Sequence, residues 1–102
     1  MHNITSEEWR QMLVSLREPR TISELPFPAK AYEFGAVNPH VREWTSRKLG
    51  AMIDSGEVEL VKEEISNITG SRTKIAFAGR MRLTAKGLQT LRALNEELER
   101  AR

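Results

Sequence analysis

The segment Arg82-Leu83-Thr84-Ala85-Lys86-Gly87 marks a change from extended chain to helix. Thr84 is a favoured N-cap residue, and the leucines that follow it are spaced three or four residues apart, which forms one face of an amphipathic helix. We therefore predict a C-terminal helix over residues 84–101. Its apolar stripe consists of Leu88, Leu91, Leu94 and Leu98.

A hairpin is predicted immediately before this helix, over residues 57–83. In its first strand, residues 57–62, Val58 and Leu60 alternate with charged residues, as in a half-buried strand. The polar stretch from Asn67 to Lys74 contains a glycine and is typical of a hairpin tip.

Another helix precedes the hairpin, over residues 39–55. Asn38 is a good N-cap, Pro39 suits the first helical position, and Gly56 suits the position just past the helix end. The apolar residues of this segment cluster on one side of a helical wheel.

Prolines divide the N-terminal part of the chain. Residues 5–8 form a capping box, and the apolar spacing that follows predicts a first helix over residues 6–17, ended by Pro19. The segment Arg20 to Leu25 is predicted to be a short strand or turn, although it could also begin a helix. A second helix is predicted from Pro28 to Phe34, which makes residues 28–55 a helix-turn-helix.

With its elements in this order, the chain resembles the MarR-like and PadR-like winged helix-turn-helix transcription regulators. The resemblance is carried by Thr21–Leu25, Leu49–Gly56 and Arg82–Gly87 with Leu91. It implies a mostly helical α+β fold, with a three-helix core, a two-stranded wing and a C-terminal helix in a single domain over residues 1–102. The Pro-Phe-Pro segment departs from the compact second helix of those families, and the chain lacks their additional dimerisation helices.

Basic residues are concentrated in a segment without acids. No Asp or Glu occurs from Ser66 to Asn95, and the remaining chain is net acidic although the whole chain carries +2. A local basic region is where a nucleic-acid backbone would bind. The basic residues of this segment are Arg72, Lys74, Arg80, Arg82, Lys86 and Arg92.

The composition argues against several other functions. The 102 residues include no cysteine and only two histidines, and they contain no glycine-rich phosphate loop and no metalloprotease or nucleophile-elbow motif. We therefore expect no enzyme activity, no cofactor and no metal site. Without a signal peptide or an apolar run of about 20 residues, we expect a cytoplasmic location and no membrane contact.

The resemblance implies that the third helix enters the major groove of duplex DNA and that the wing tip contacts the backbone. Arginine has forked donors that read guanine edges or grip phosphates. The alternative for the helix is a solvated outer face, and for the wing a solubilising hairpin. The candidate DNA-binding residues are Asn38, His40, Arg42, Ser46 and Arg47 on the helix, with Arg72 and Lys74 near the wing tip.

The C-terminal helix offers a dimer interface through Leu91, Leu94 and Leu98, although these leucines could equally cover the first helix of the same chain. The expected function is that of a sequence-specific duplex-DNA-binding protein, a small transcriptional repressor acting as a homodimer. Two alternatives are a winged-helix module that binds a protein partner and an accessory DNA-binding protein of a phage or of replication.

Overall fold

A computed structural model describes residues 3–61 and 79–101. In these residues the chain is mostly helical, with three α-helices and two separate two-stranded antiparallel sheets. The predicted α+β class is therefore confirmed. The elements are α1 (Ser6–Ser15), β1 (Tyr32–Glu33), β2 (Ala36–Val37), α2 (Pro39–Asp54), β3 (Val58–Leu60), β4 (Met81–Leu83) and α3 (Ala85–Arg100).

Helix α1 begins at the predicted capping box. The Thr5 hydroxyl accepts from the Glu8 amide at 3.1 Å, and the Glu8 carboxylate accepts from the Thr5 amide at 2.8 Å. The helix ends at Ser15, two residues earlier than predicted, because the next amides turn back to carbonyls only three residues away. The Leu16 carbonyl then accepts from the Leu83 amide at 2.8 Å, which ties the end of α1 to β4.

The predicted helix from Pro28 to Phe34 is wrong. A single 3₁₀ turn, Ala29–Ala31, leads instead into the small hairpin β1–β2, in which Tyr32 pairs with Val37 and Glu33 with Ala36. Phe34 and Gly35 both have left-handed backbone angles, with φ of +52° and +83°. Two consecutive left-handed residues fit the tight turn of a two-residue hairpin, so the glycine read as a helix end belongs to that turn.

Helix α2 starts at Pro39 as predicted and ends at Asp54, one residue before the predicted end, with Ser55 as its C-cap. The Asn38 side chain accepts from the His40 amide at 2.8 Å, Pro39 occupies the first turn, and Gly56 has a φ of +80° just past the helix. Its buried side is formed by Val41, Thr45, Ser46 and Leu49.

Strands β3 and β4 pair antiparallel within the predicted hairpin, residues 57–83. Val58 pairs with Leu83 and Leu60 with Met81, and the two predicted inward-facing residues of β3 are the less exposed ones. Arg20 forms an antiparallel bridge with Met81, with backbone bonds of 2.9 and 2.8 Å in the two directions. The segment predicted as a strand or turn is therefore one bridge followed by a 3₁₀ turn at Ile22–Glu24. The predicted hairpin tip, Asn67 to Lys74, lies outside the described residues.

Helix α3 is capped by the Thr84 hydroxyl, which accepts from the Gly87 amide at 3.2 Å, and packs against α1. The core between the helices and β3–β4 includes Met12, Leu13, Leu16, Ile22, Leu49, Val58, Met81 and Leu91. In the described part of the chain, no helix has the length and apolar character needed to cross a membrane.

Candidate nucleic-acid interface

The exposed face of α2 carries His40 and Arg47, together with Glu43 and Asp54. Since each residue advances a helix by about 100°, these four side chains lie on the side opposite the buried residues. Two of the predicted groove-facing residues, His40 and Arg47, are therefore on an accessible surface. The same surface also carries two carboxylates, so its charge is mixed.

Two other predicted contact residues are buried. Ser46 is 0% exposed and Asn38 is 8% exposed. The Asn38 side-chain oxygen is used to cap α2, whereas the Ser46 hydroxyl has no hydrogen-bond partner. Burial excludes Ser46 from the accessible face, and Asn38 acts by placing the first turn of α2. Ser46 was a candidate because of its position in the helix that the family resemblance places in the groove, and that correspondence does not determine which side of α2 is buried.

Arg42 does not share a face with Arg47. Five residues along a helix correspond to a rotation of about 140°. The Arg42 guanidinium donates to the Ser23 hydroxyl at 3.0 Å, so it links α2 to the 3₁₀ turn after the Arg20 bridge. Arg42 and Arg47 therefore cannot enter one groove side by side.

An ion pair crosses the base of the hairpin. Arg82 donates to the Glu59 carboxylate at 2.6 Å, and these residues are directly opposite each other in β4 and β3. Both side chains are about half exposed, so the pair contributes little stability, of the order of 0–1 kcal/mol. The pair neutralises the Glu59 carboxylate on β3, the strand that contacts α2. The predicted wing residues Arg72 and Lys74 lie outside the described residues.

The turn after α2 is fastened to the start of α3. The Lys86 ammonium donates to the Ser55 carbonyl at 2.7 Å, and the Thr84 hydroxyl donates to the Gly56 carbonyl at 2.6 Å. A cation at the last carbonyls of α2 is also favoured by the helix dipole. Two of the segments that carry the family resemblance, Leu49–Gly56 and Arg82–Gly87, thus meet in space.

Glu57 lies at the centre of this junction. Its carboxylate accepts from the Ser55 hydroxyl and, at 2.6 Å, from the Thr90 hydroxyl of α3. Both hydrogen bonds lower the pKa of Glu57 below its usual value, and the bond from Ser55 has the larger effect. Sequence reasoning treated Glu57 only as the start of a strand, because its partner Thr90 is 33 residues away.

The two tryptophans pack against each other. The rings of Trp9 and Trp44 are edge to face, with centroids 5.4 Å apart, and the Lys48 ammonium lies 5.8 and 5.6 Å from the two centroids. The contact joins α2, which carries Trp44, to α1, which carries Trp9. A groove of about 410 Å³ opens beside this cluster, and its lining includes Leu13, Met52 and Leu94.

The predicted dimer stripe is only partly accessible. Leu91 is 1% exposed and belongs to the core, while Leu94 and Leu98 are half-buried. Leu88, at 44% exposure, is the most accessible leucine of the stripe. Leu91 is therefore not available to a second subunit. The reason is that Leu91 packs in the core where α3 lies against α1.

Among the described residues, no group of three His, Cys, Asp or Glu side chains is placed to hold a metal ion. Comparison with protein-family models, with curated proteins and with solved structures finds no significant match to this chain.

Proposed function

We propose that this chain is a winged-helix protein that binds duplex DNA through α2 and through the hairpin that begins with β3. The observation that carries the proposal is the junction between the end of α2, the base of the hairpin and the start of α3. It fixes helix, ribbon and helix in one unit through Lys86, Thr84 and Glu57. A groove-binding helix and a backbone-binding ribbon must be held in such a fixed relation to act together.

The part of the chain before α2 departs from the predicted arrangement, since the small hairpin β1–β2 occupies the place of the second helix. The proposal therefore rests on α2, β3, β4 and α3. The Arg20–Met81 bridge supports it by joining the N-terminal part to the base of the hairpin.

On α2, Arg47 and His40 are the residues proposed to contact DNA. Both are exposed and lie on the same side of the helix. The positive end of the α2 dipole also favours a phosphate near the first turn of the helix. Asn38 and Arg42 are proposed to place α2 instead of contacting DNA.

The acid-free segment from Ser66 to Asn95 supplies the complementary charge. It includes Arg72 and Lys74, which we propose as the backbone contacts of the wing. Phosphate contacts contribute most of the affinity of such interfaces, whereas contacts to base edges give the specificity.

We further propose that the protein acts as a homodimer and represses transcription by occupying its site. An isologous dimer presents two copies of α2 and so sets the spacing of two half-sites. Since Leu91 is buried, the proposed contact uses Leu88, Leu94 and Leu98 of α3. Light scattering of the purified protein measures its mass in solution, which distinguishes a homodimer from a single chain.

The proposal is tested by the affinity for a labelled duplex of about 30 base pairs, long enough for two half-sites one helical turn apart. Arg47→Gln is expected to weaken binding about tenfold, because it removes one charged contact. Arg100→Gln removes the same charge from the exposed last turn of α3 and is the matched control, with an expected change below about twofold. Equal effects of the two substitutions would contradict the proposal.

One observation favours a second candidate, a winged-helix module that binds a protein partner. The exposed face of α2 carries Glu43 and Asp54 beside Arg47, and mixed charge suits a protein surface better than a phosphate backbone. A protein partner held mainly by apolar contacts would bind with little dependence on salt, whereas binding to DNA should weaken steeply as salt rises. Repeating the duplex-binding measurement at low and moderate salt therefore separates the two functions.

A further inference from the structure

The tip of the small hairpin β1–β2 presents an aromatic side chain to solvent. Phe34 is 106% exposed, and the neighbouring Tyr32 is 45% exposed. In residues 3–61 and 79–101, the only other exposed large hydrophobic side chain is Leu88, at 44%. Phe34 is thus the most accessible apolar group that the structure describes.

The backbone at this position is also unfavourable for phenylalanine. Phe34 has a φ of +52° and is the one non-glycine residue with a left-handed backbone in the described part of the chain. Tight hairpin turns of this type strongly prefer asparagine or aspartate before glycine. Phenylalanine here neither suits the turn nor packs against the protein, so folding does not explain its presence.

The tip is held close to the start of α2. The Asn38 amide donates to the Ala31 carbonyl at 2.7 Å, which closes the base of the hairpin, and Asn38 itself caps α2. The four residues that follow Phe34, up to Asn38, span at most about 14 Å. With DNA stacked at about 3.4 Å per base, this places the backbone of the tip within about four base steps of the first turn of α2.

We propose that Phe34 contacts DNA beside the groove occupied by α2, stacking on a base or packing against a deoxyribose at the edge of the site. This proposal rests on the proposed function, since it places the aromatic tip next to the same duplex. Apolar side chains that pack against unstacked or widened base steps are a known means of DNA contact. The β1–β2 hairpin is then a second DNA-binding element, and its contact with DNA is made by an uncharged aromatic side chain.

The test uses Phe34→Asn, which removes the ring and gives the turn its preferred Asn-Gly sequence. The variant is expected to be more stable, with a melting temperature higher by about 5 °C, and to bind duplex DNA about tenfold more weakly. Because no charge is lost, the weakening is expected to be the same factor at every salt concentration. Arg47→Gln, in contrast, is expected to reduce the salt dependence itself.

Phe34→Trp retains an aromatic ring and is the matched control, expected to bind as tightly as the wild type. Wild-type affinity in Phe34→Asn would overturn the proposal while leaving the proposed function intact. A loss of affinity in both Phe34→Asn and Phe34→Trp would also overturn it. Since Phe34→Trp keeps an aromatic ring, the loss would then come from a change in the turn and not from removal of the ring. No DNA binding by the wild-type protein would overturn the proposed function, and this inference with it.

Discussion

Gly87 of α3 faces the carbonyl oxygen of Glu57 so closely that a side chain could not be placed between them. A Cβ atom at position 87 would be 2.0 Å from that oxygen and 2.9 Å from the Leu83 side chain. The first turn of α3 is therefore pressed against the turn that follows α2. This contact gives a physical reason for a glycine at the end of the segment Arg82–Gly87.

Gly87→Ala is expected to destabilise the protein by about 2–4 kcal/mol, although alanine is the better helix former by about 1 kcal/mol. The reason is that a backbone carbonyl, unlike the end of a flexible side chain, cannot move aside without shifting the whole turn. Denaturant unfolding of the two proteins measures the difference in free energy of unfolding.

The matched control is Gly50→Ala in α2, where a Cβ would meet nothing within 4 Å. Here the better helix propensity of alanine acts alone, and a gain of up to about 1 kcal/mol is expected. Similar changes at both positions would contradict the assignment of a close contact to Gly87.

Glu57→Gln is expected to reduce the free energy of unfolding at neutral pH by about 1 kcal/mol, because it weakens the hydrogen bonds from Ser55 and Thr90. The folded-state pKa of Glu57 is lowered, so the ionised carboxylate stabilises the fold above the usual value of 4.5, and this contribution is lost as the pH falls through the lowered pKa. The difference between wild type and variant should therefore shrink as the solution is acidified.

Urea unfolding at a series of pH values measures that difference. Glu97→Gln removes a carboxylate from the exposed side of α3 and controls for the change in net charge. A difference between wild type and Glu57→Gln that stays constant down to acidic pH would argue against a charge-dependent role for Glu57.

Ser46→Ala is expected to leave stability unchanged or to raise it by up to about 1 kcal/mol. The buried Ser46 hydroxyl has no hydrogen-bond partner, so the substitution removes an unsatisfied buried polar group. DNA affinity should equal that of the wild type, because the side chain is fully buried. Weaker DNA binding by this variant would mean that Ser46 reaches the duplex, as the family resemblance implies.

The sequence predicted those features that depend on neighbouring residues. The Thr5–Glu8 capping box, the Asn38 and Thr84 caps and the left-handed Gly56 are each determined within one turn of chain, and each is present. The pairing of β3 with β4 followed from alternation and from the position of the hairpin. Local chemistry was sufficient at these sites.

The wrong predictions concern residues that suit two local structures, or residues whose surroundings depend on contacts with residues distant in the sequence. Gly35 suits both a helix end and a tight turn, and the structure contains the turn. Ser46 was assigned to a surface by its correspondence to a groove-facing position in the resembled families, and Leu91 by its place in the leucine stripe; neither shows what covers the side chain in this chain. The contacts of Glu57 with Thr90 and of Trp9 with Trp44 join residues more than 30 positions apart, and no local pattern predicts them.

The most direct test of the central claim is the affinity of the wild-type protein for mixed-sequence duplex DNA over a range of salt concentrations. If α2 and the wing bind the DNA backbone, the logarithm of the association constant should fall linearly and steeply with the logarithm of the salt concentration. No binding at low salt, or binding that does not depend on salt, would contradict the claim and favour a protein partner.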